Sequence, residues 1–184
     1  MKILLHQCCG PCSFYPLESL IEDNFEVTTF FYNPNIHPYT EFIQRLDNAK
    51  KVNKIYNIKG YFFNFYNVKN FLKNMPTKNR CIYCYDIRIK VTAAFAKKNK
   101  FDYFTTTLLY SKYQQHDVIK NIAEKYSIIY NIPFYYNDYR IGWQKGFDLS
   151  RLHNIYMQKY CGCIYSEQER YTKKITKNKT LEYV

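Results

Sequence analysis

The residues through which this chain could do chemistry are seven cysteines in three tight groups. Cys8, Cys9 and Cys12 lie within the stretch Cys8-Cys9-Gly10-Pro11-Cys12. Cys81 and Cys84 form a second group, and Cys161 and Cys163, separated by Gly162, a third. Scattered structural cysteines do not group in this way. Three clusters brought together by a fold would make one metal or redox site. Adjacent thiols such as Cys8 and Cys9 can bond each other only with backbone strain, but both can face one cluster or two neighbouring irons. An iron–sulfur cluster takes thiolates from more than one chain segment, and Cys8, Cys9, Cys81 and Cys84 would supply four. Cys12 opens a helix, where the dipole favours the thiolate. It could ligate a second metal or stay a reactive thiol.

The same residues suit other chemistries. Cys9, Cys12, Cys81 and Cys84 read as C-x-x-C…C-x-x-C, the pairing of structural zinc sites. The 68 residues between the pairs are many for a zinc ribbon, and zinc leaves Cys8 and the Cys161/Cys163 pair unused. Cys9-Gly10-Pro11-Cys12 is also the thioredoxin active-site tetrapeptide. A thioredoxin fold, however, places it after an initial βαβ, and no Trp precedes Cys9 here. Cys161-Gly162-Cys163 can close a strained, easily reduced disulfide, with Gly162 giving the backbone freedom, or can be two buried thiols on a turn. His6, His37, His116 and His153 show no metal spacing and read as packing or surface residues. Asp138 could be a hard ligand for an extra iron, or half of a structural pair with Arg140.

Composition narrows the partners. A net charge of +12, with aromatic residues interleaved among the basic ones as in Tyr56 to Phe63, suits a polyanion with unstacked bases. A Lys-rich proteome and ordinary core aromatics would look similar. No run of about 18 apolar residues exists to cross a membrane, and the run Ile3-Leu4-Leu5 is too short for a signal peptide. The expected location is cytoplasmic, where clustered cysteines mean metal or catalysis more often than disulfides. With 5 glycines and no P-loop, a nucleotide-phosphate cradle is improbable.

The elements that must position these residues read as one domain, 1–184. Lys2 to Gln7 reads as a buried strand, followed by a helix capped by Ser13 and running to Asp23, with Leu17, Leu20 and Ile21 inward. Phe25 to Tyr32 is a second strand, Tyr39 to Tyr56 a helix, and Tyr61 to Tyr66 a third strand. A basic loop leads to Cys81 and Cys84. A helix follows them, with Ile87, Val91, Ala94 and Phe95 inward and Arg88 outward. Asp102 to Leu109 is strand-like, Gln114 to Tyr126 helical, and Ile132 to Tyr136 a short strand. A helix over Leu149 to Gln158 delivers Cys161, and a last helix covers Ser166 to Thr172 before a fraying Lys-rich tail. Alternating strands and helices predict an α/β domain, mainly parallel, with its site at the carboxyl ends of strands.

Taken together, His6-Gln7-Cys8-Cys9-Gly10-Pro11-Cys12, Arg80-Cys81-Ile82-Tyr83-Cys84-Tyr85-Asp86-Ile87-Arg88, Thr107-Leu108-Leu109-Tyr110-Ser111 and Tyr160-Cys161-Gly162-Cys163-Ile164-Tyr165-Ser166 resemble the QueH family of non-cobalamin epoxyqueuosine reductases. The resemblance spans nearly the whole chain, in order. Asp86, where the family pattern leads one to expect Glu, and Tyr110 before Ser111 depart from it without touching a cysteine. It implies reduction of epoxyqueuosine to queuosine at the tRNA wobble position. It also implies a Rossmann-like fold of the nucleotide α-hydrolase type with helices on both faces and a helical C-terminal part. A 4Fe–4S cluster on Cys8, Cys9, Cys81 and Cys84 is implied, with a further iron near Cys12 and Asp138. Cys161 and Cys163 would be a redox-active pair. The partners would be tRNA and an electron donor that the sequence does not name.

Overall fold

The computed structural model describes residues 1–177. Four parallel strands, β1 Lys2–His6, β2 Glu26–Phe31, β3 Gly60–Phe62 and β4 Tyr103–Thr106, form a sheet in the order β3-β2-β1-β4. The helices are α1 Phe14–Glu22, α2 Tyr39–Ile55, α3 Val68–Asn74, α4 Arg80–Lys98, α5 His116–Tyr130, α6 Trp143–Leu152 and α7 Ile164–Lys177. The chain goes from β1 to β2 on one side and later reaches β4 on the other. The carboxyl end of β1 therefore opens at the point where strand order reverses, the usual crevice for a site in such sheets.

The apolar run Ile3-Leu4-Leu5 explains why β1 is central. Ile3 and Leu5 face α1 and α2, packing with Phe14, Leu17, Leu20 and Val52. Leu4 faces the other side, with Tyr85, Ile89 and Ala93 of α4 and Ile119 and Ala123 of α5. Burial on both faces leaves no polar position among Ile3, Leu4 and Leu5. In α2, Phe42, Leu46, Ala49 and Val52 are buried as their helical spacing predicts. The expected α/β class with helices on both faces is what forms.

Several local expectations differ. Ser13 occupies the N-cap position of α1 as expected, but its side chain makes no capping bond; its hydroxyl donates to the Cys9 carbonyl at 2.7 Å, and a single 3-10 turn, Pro11–Ser13, leads into the helix. Ile21 is exposed rather than inward. A helix, α3, interrupts the expected basic loop, with the Asn67 side chain accepting from the Asn70 N–H at its start. α4 begins at Arg80, so Cys81 and Cys84 lie in its first turns. Its buried face runs through Tyr85, Arg88, Ile89, Thr92, Ala93 and Ala96, so Arg88 points inward.

Ile132 to Tyr136 contributes only an isolated parallel bridge, Phe104 to Phe134. The C-terminal region is also shifted. α6 runs Trp143–Leu152, and an irregular segment with Asn154 at φ 51 carries the chain from it to Cys161. α7 extends past Thr172, and the fraying expected of the tail beyond it lies outside the described residues.

Candidate metal and redox site

The first thiol group is held rigidly where β1 ends. Gln7 N–H still bonds the Phe30 carbonyl at 2.9 Å, and its side-chain amide reaches Asn53 Oδ1 at 3.2 Å. Cys8 N–H then turns to the Thr107 hydroxyl just past β4, at 3.0 Å, so the backbone crosses the β1/β4 crevice. Gly10 packs so closely on α2 that a Cβ there would stand 3.0 Å from the Asn48 carbonyl oxygen. Pro11 suits the start of the turn that follows, because its missing N–H has no partner there anyway. The result gathers the Cys8, Cys9 and Cys12 sulfurs within 4.8 Å of one another, with Cys8 and Cys9 at 3.6 Å.

The other two groups reach the same place. A cavity of about 620 Å³ opens over the thiols and is lined by Cys8 and Cys12, by Cys81, and by Cys161, one or more from each group. Cys81 and Cys84 project from the first turns of α4. The Cys161-Gly162-Cys163 loop is clipped onto α2. Arg45 Nη1 and Nη2 donate to the carbonyls of Cys161 and Tyr160, each at 2.8 Å. Its Nε pairs with Glu41 at 2.7 Å, and Glu41 also accepts from the Tyr156 hydroxyl at 2.7 Å. The Tyr160 hydroxyl donates to the His37 carbonyl, and His37 N–H to the Gly162 carbonyl. Gly162 sits at φ 143, a conformation that only glycine adopts cheaply. All seven cysteines are free thiols in this structure.

The electrostatics favour one thiolate among three. Hydrogen bonds from Cys12 and Cys9, together with the nearby Arg88 charge and the Thr107 hydroxyl, hold Cys8 well below the usual thiol range. The hydrogen bond to Cys8 pushes Cys12 up, and burial pushes Cys9 up. Burial raises Cys84 to about 12, and Cys81 rises for the same reason. Amide donors also face the sulfurs: Gln158 Nε2 lies 3.0 Å from Cys9, and Gln114 Nε2 lies 3.3 Å from Cys161. Convergent thiols, donors to sulfur and a buried cation suit an anionic thiolate centre.

Asp138 is not among the residues that line this cavity. Arg140 occupies both its carboxylate oxygens, at 2.8 and 2.6 Å, and Asp138 caps the turn that precedes α6. The histidines pack: His6 bonds Thr106, burial lowering its pKa to about 3, and His153 stacks on Phe14. Arg45, Arg88, Gln114 and Gln158 are the site residues that thiol spacing does not reveal. Two were legible as helical neighbours. Arg88 follows Cys84 by four positions and Cys81 by seven, on one face of α4. Arg45 follows Glu41 by four and Phe42 by three.

The comparisons with known proteins agree with this geometry. The family model described as epoxyqueuosine reductase QueH matches residues 3–169. The epoxyqueuosine reductase QueH of Dehalococcoides mccartyi is 33% identical over 174 residues, covering 94% of this chain and 96% of that one. Its counterpart from Thermotoga maritima is 30% identical, covering 91% of each chain. Among solved structures, the U34-tRNA thiolase NcsA from Methanococcus maripaludis, described with its 4Fe–4S cluster, superposes with a TM-score of 0.58. It is 19% identical, and the superposition covers 97% of this chain and 65% of that one. A predicted subunit of tRNA methyltransferase from Methanocaldococcus jannaschii superposes with a TM-score of 0.54 at 10% identity, over 82% of this chain and 74% of that one. These likenesses of structure establish the fold.

Proposed function

This chain belongs to the QueH family of epoxyqueuosine reductases, and from that premise we propose that it reduces epoxyqueuosine in tRNA to queuosine. The observation that carries the reading is the convergence of all three cysteine groups on one cavity at the β1/β4 crevice. The reaction removes the epoxide oxygen as water: two electrons and two protons enter, two C–O bonds break, and the ring alkene forms.

Cys8 and Cys9 from the first loop, with Cys81 and Cys84 from α4, would hold a 4Fe–4S cluster. The donor set fits, being thiols from two segments with amide and guanidinium donors around them. Bound there, the cluster would supply electrons one at a time, and a further iron, for which Cys12 would be a ligand, would supply Lewis acidity. The protein's own residues do the rest. Cys161 and Cys163 form a dithiol: oxidation to a disulfide releases two electrons and two protons, the reaction's full requirement, and an external donor resets the pair. Arg45 and Gly162 hold that loop against the cavity wall.

The wobble base must leave the anticodon stack to enter the cavity. The cavity wall is suited to receive it. Tyr113 there is 88% exposed. Lys112 lies 4.6 Å over the Trp143 ring, and Lys159 and Arg170 line the same cavity. Rings would take bases, and cations phosphates, so binding would weaken steeply with salt. No helix among the described residues is long and apolar enough to cross a membrane, and we take the protein to act as a single domain in the cytoplasm.

The test is iron, zinc and acid-labile sulfide analysis of anaerobically purified protein, with turnover of tRNA containing epoxyqueuosine. Iron and sulfide in cluster ratio with queuosine produced is the expected result. Stoichiometric zinc, a colourless sample after reconstitution and no turnover would favour a zinc-stabilised nucleic-acid-binding protein instead.

A further inference from the structure

Two guanidiniums are buried at this site, and their surroundings differ. Arg45 has a carboxylate, Glu41, 2.7 Å from its Nε. Arg88 is 2% exposed and pairs with no carboxylate among the described residues. Its Nη2 donates to the Asn33 amide oxygen at 2.9 Å. Its Nη1 faces the Cys84 sulfur at 3.6 Å. Its Nε is buried without a partner. Taking a guanidinium out of water is costly, and a neutral amide with a neutral thiol does not offset that cost. The groups near it that can carry negative charge are cysteines: Cys84, Cys8 and Cys161. Arg88 also lines the cavity wall with Cys8, Cys81 and Cys161. A cation placed like this has its counter-charge only when the centre beside it is anionic.

We propose that Arg88 is a fixed positive charge, acting through the metal centre rather than on the substrate, that stabilises the reduced cluster and raises its reduction potential. The inference rests on the iron–sulfur reading above. Each electron added makes a thiolate-ligated cluster one unit more negative, so a neighbouring cation with donors to a ligand sulfur favours the reduced form. Arg88 is then a positioning residue that sets the driving force for the first electron transfer, and Asn33 orients it.

The experiment is a reductive titration, followed by electron paramagnetic resonance, of anaerobically purified protein whose iron and sulfide content has been measured. Arg88→Met removes the charge. Asn33→Asp leaves Arg88 in place but neutralises it with a carboxylate. Arg88→Lys keeps the charge. The first two variants should shift the reduction equilibrium at least tenfold toward the oxidised form, about 59 mV for a one-electron couple. Arg88→Lys should stay near the parent. If Arg88→Met takes up no cluster, the contrast between Asn33→Asp and Arg88→Lys decides. Potentials equal to the parent in Asn33→Asp, or a fall in Arg88→Lys as large as in Asn33→Asp, would overturn the proposal. Parent protein without iron and sulfide would overturn the iron–sulfur reading itself, which is apparent before any variant is compared.

Discussion

Replacing Arg45 with Met should separate the clip that holds the Cys161 loop from the thiols themselves. Arg45 and Glu41 are 3% and 8% exposed, so the variant strands a buried carboxylate whose remaining partner is the Tyr156 hydroxyl. Breaking one side of a buried pair costs about 3–5 kcal/mol. The two lost bonds to the Tyr160 and Cys161 carbonyls add less, because that loop lies at the cavity wall where water can replace the donor. The expected loss is therefore about 3–5 kcal/mol of global stability, read by urea unfolding of reduced, metal-free protein through the single tryptophan, Trp143. The double variant Glu41→Gln with Arg45→Met removes the stranded charge and should recover most of that loss. Backbone amide exchange between Tyr156 and Cys163 should remain fast in both variants, since neither restores the clip. A single-variant loss below about 1 kcal/mol, within the range of an exposed ion pair, would refute this account. So would unchanged exchange in the loop.

Three further outcomes are expected. Cys81→Ala should abolish cluster loading, and retained iron and sulfide would remove Cys81 from the ligand set. Cys161→Ser should keep the cluster but depress multiple turnover, and an undiminished rate would exclude a redox role for that thiol. Burial between Tyr66 and Phe71 pulls His37 from 6.5 down to about 4, so the unfolded chain binds the proton first. Its contribution to stability is complete above the unfolded value and is lost as pH falls from about 6.5 toward 4, by up to about 1.4 kcal/mol per pH unit. His37→Gln should reduce the pH slope of the urea midpoint between pH 6.5 and 5, leaving the part due to His6, and an equally steep profile would place the titration elsewhere.

Much of the architecture follows from local pattern. Ile3-Leu4-Leu5 is apolar on successive residues, so both faces of β1 must be covered, and that alone requires a central strand between helical layers. Phe42, Leu46, Ala49 and Val52 keep a helical period that no strand could satisfy. The three cysteine groups are equally plain in the chain, and their order carries the family resemblance. What the local pattern leaves open is rotational phase and long-range closure. Arg88 reads as one more charge on a Lys-rich helix; it turns inward because Tyr85, Ile89 and Ala93 must pack on Leu4, and that face includes Arg88. The segment after Leu152 carries helix-forming residues yet runs irregular, because Tyr156, Tyr160 and Cys161 bond to α2 through Asn48, Glu41 and Arg45 across more than 100 residues. Asp138 is a competent ligand by type, but its neighbour Arg140 takes both oxygens. Side-chain type and spacing determine which atoms can do chemistry here. Which of them meet depends on packing between distant segments, whose energies no short window of sequence contains.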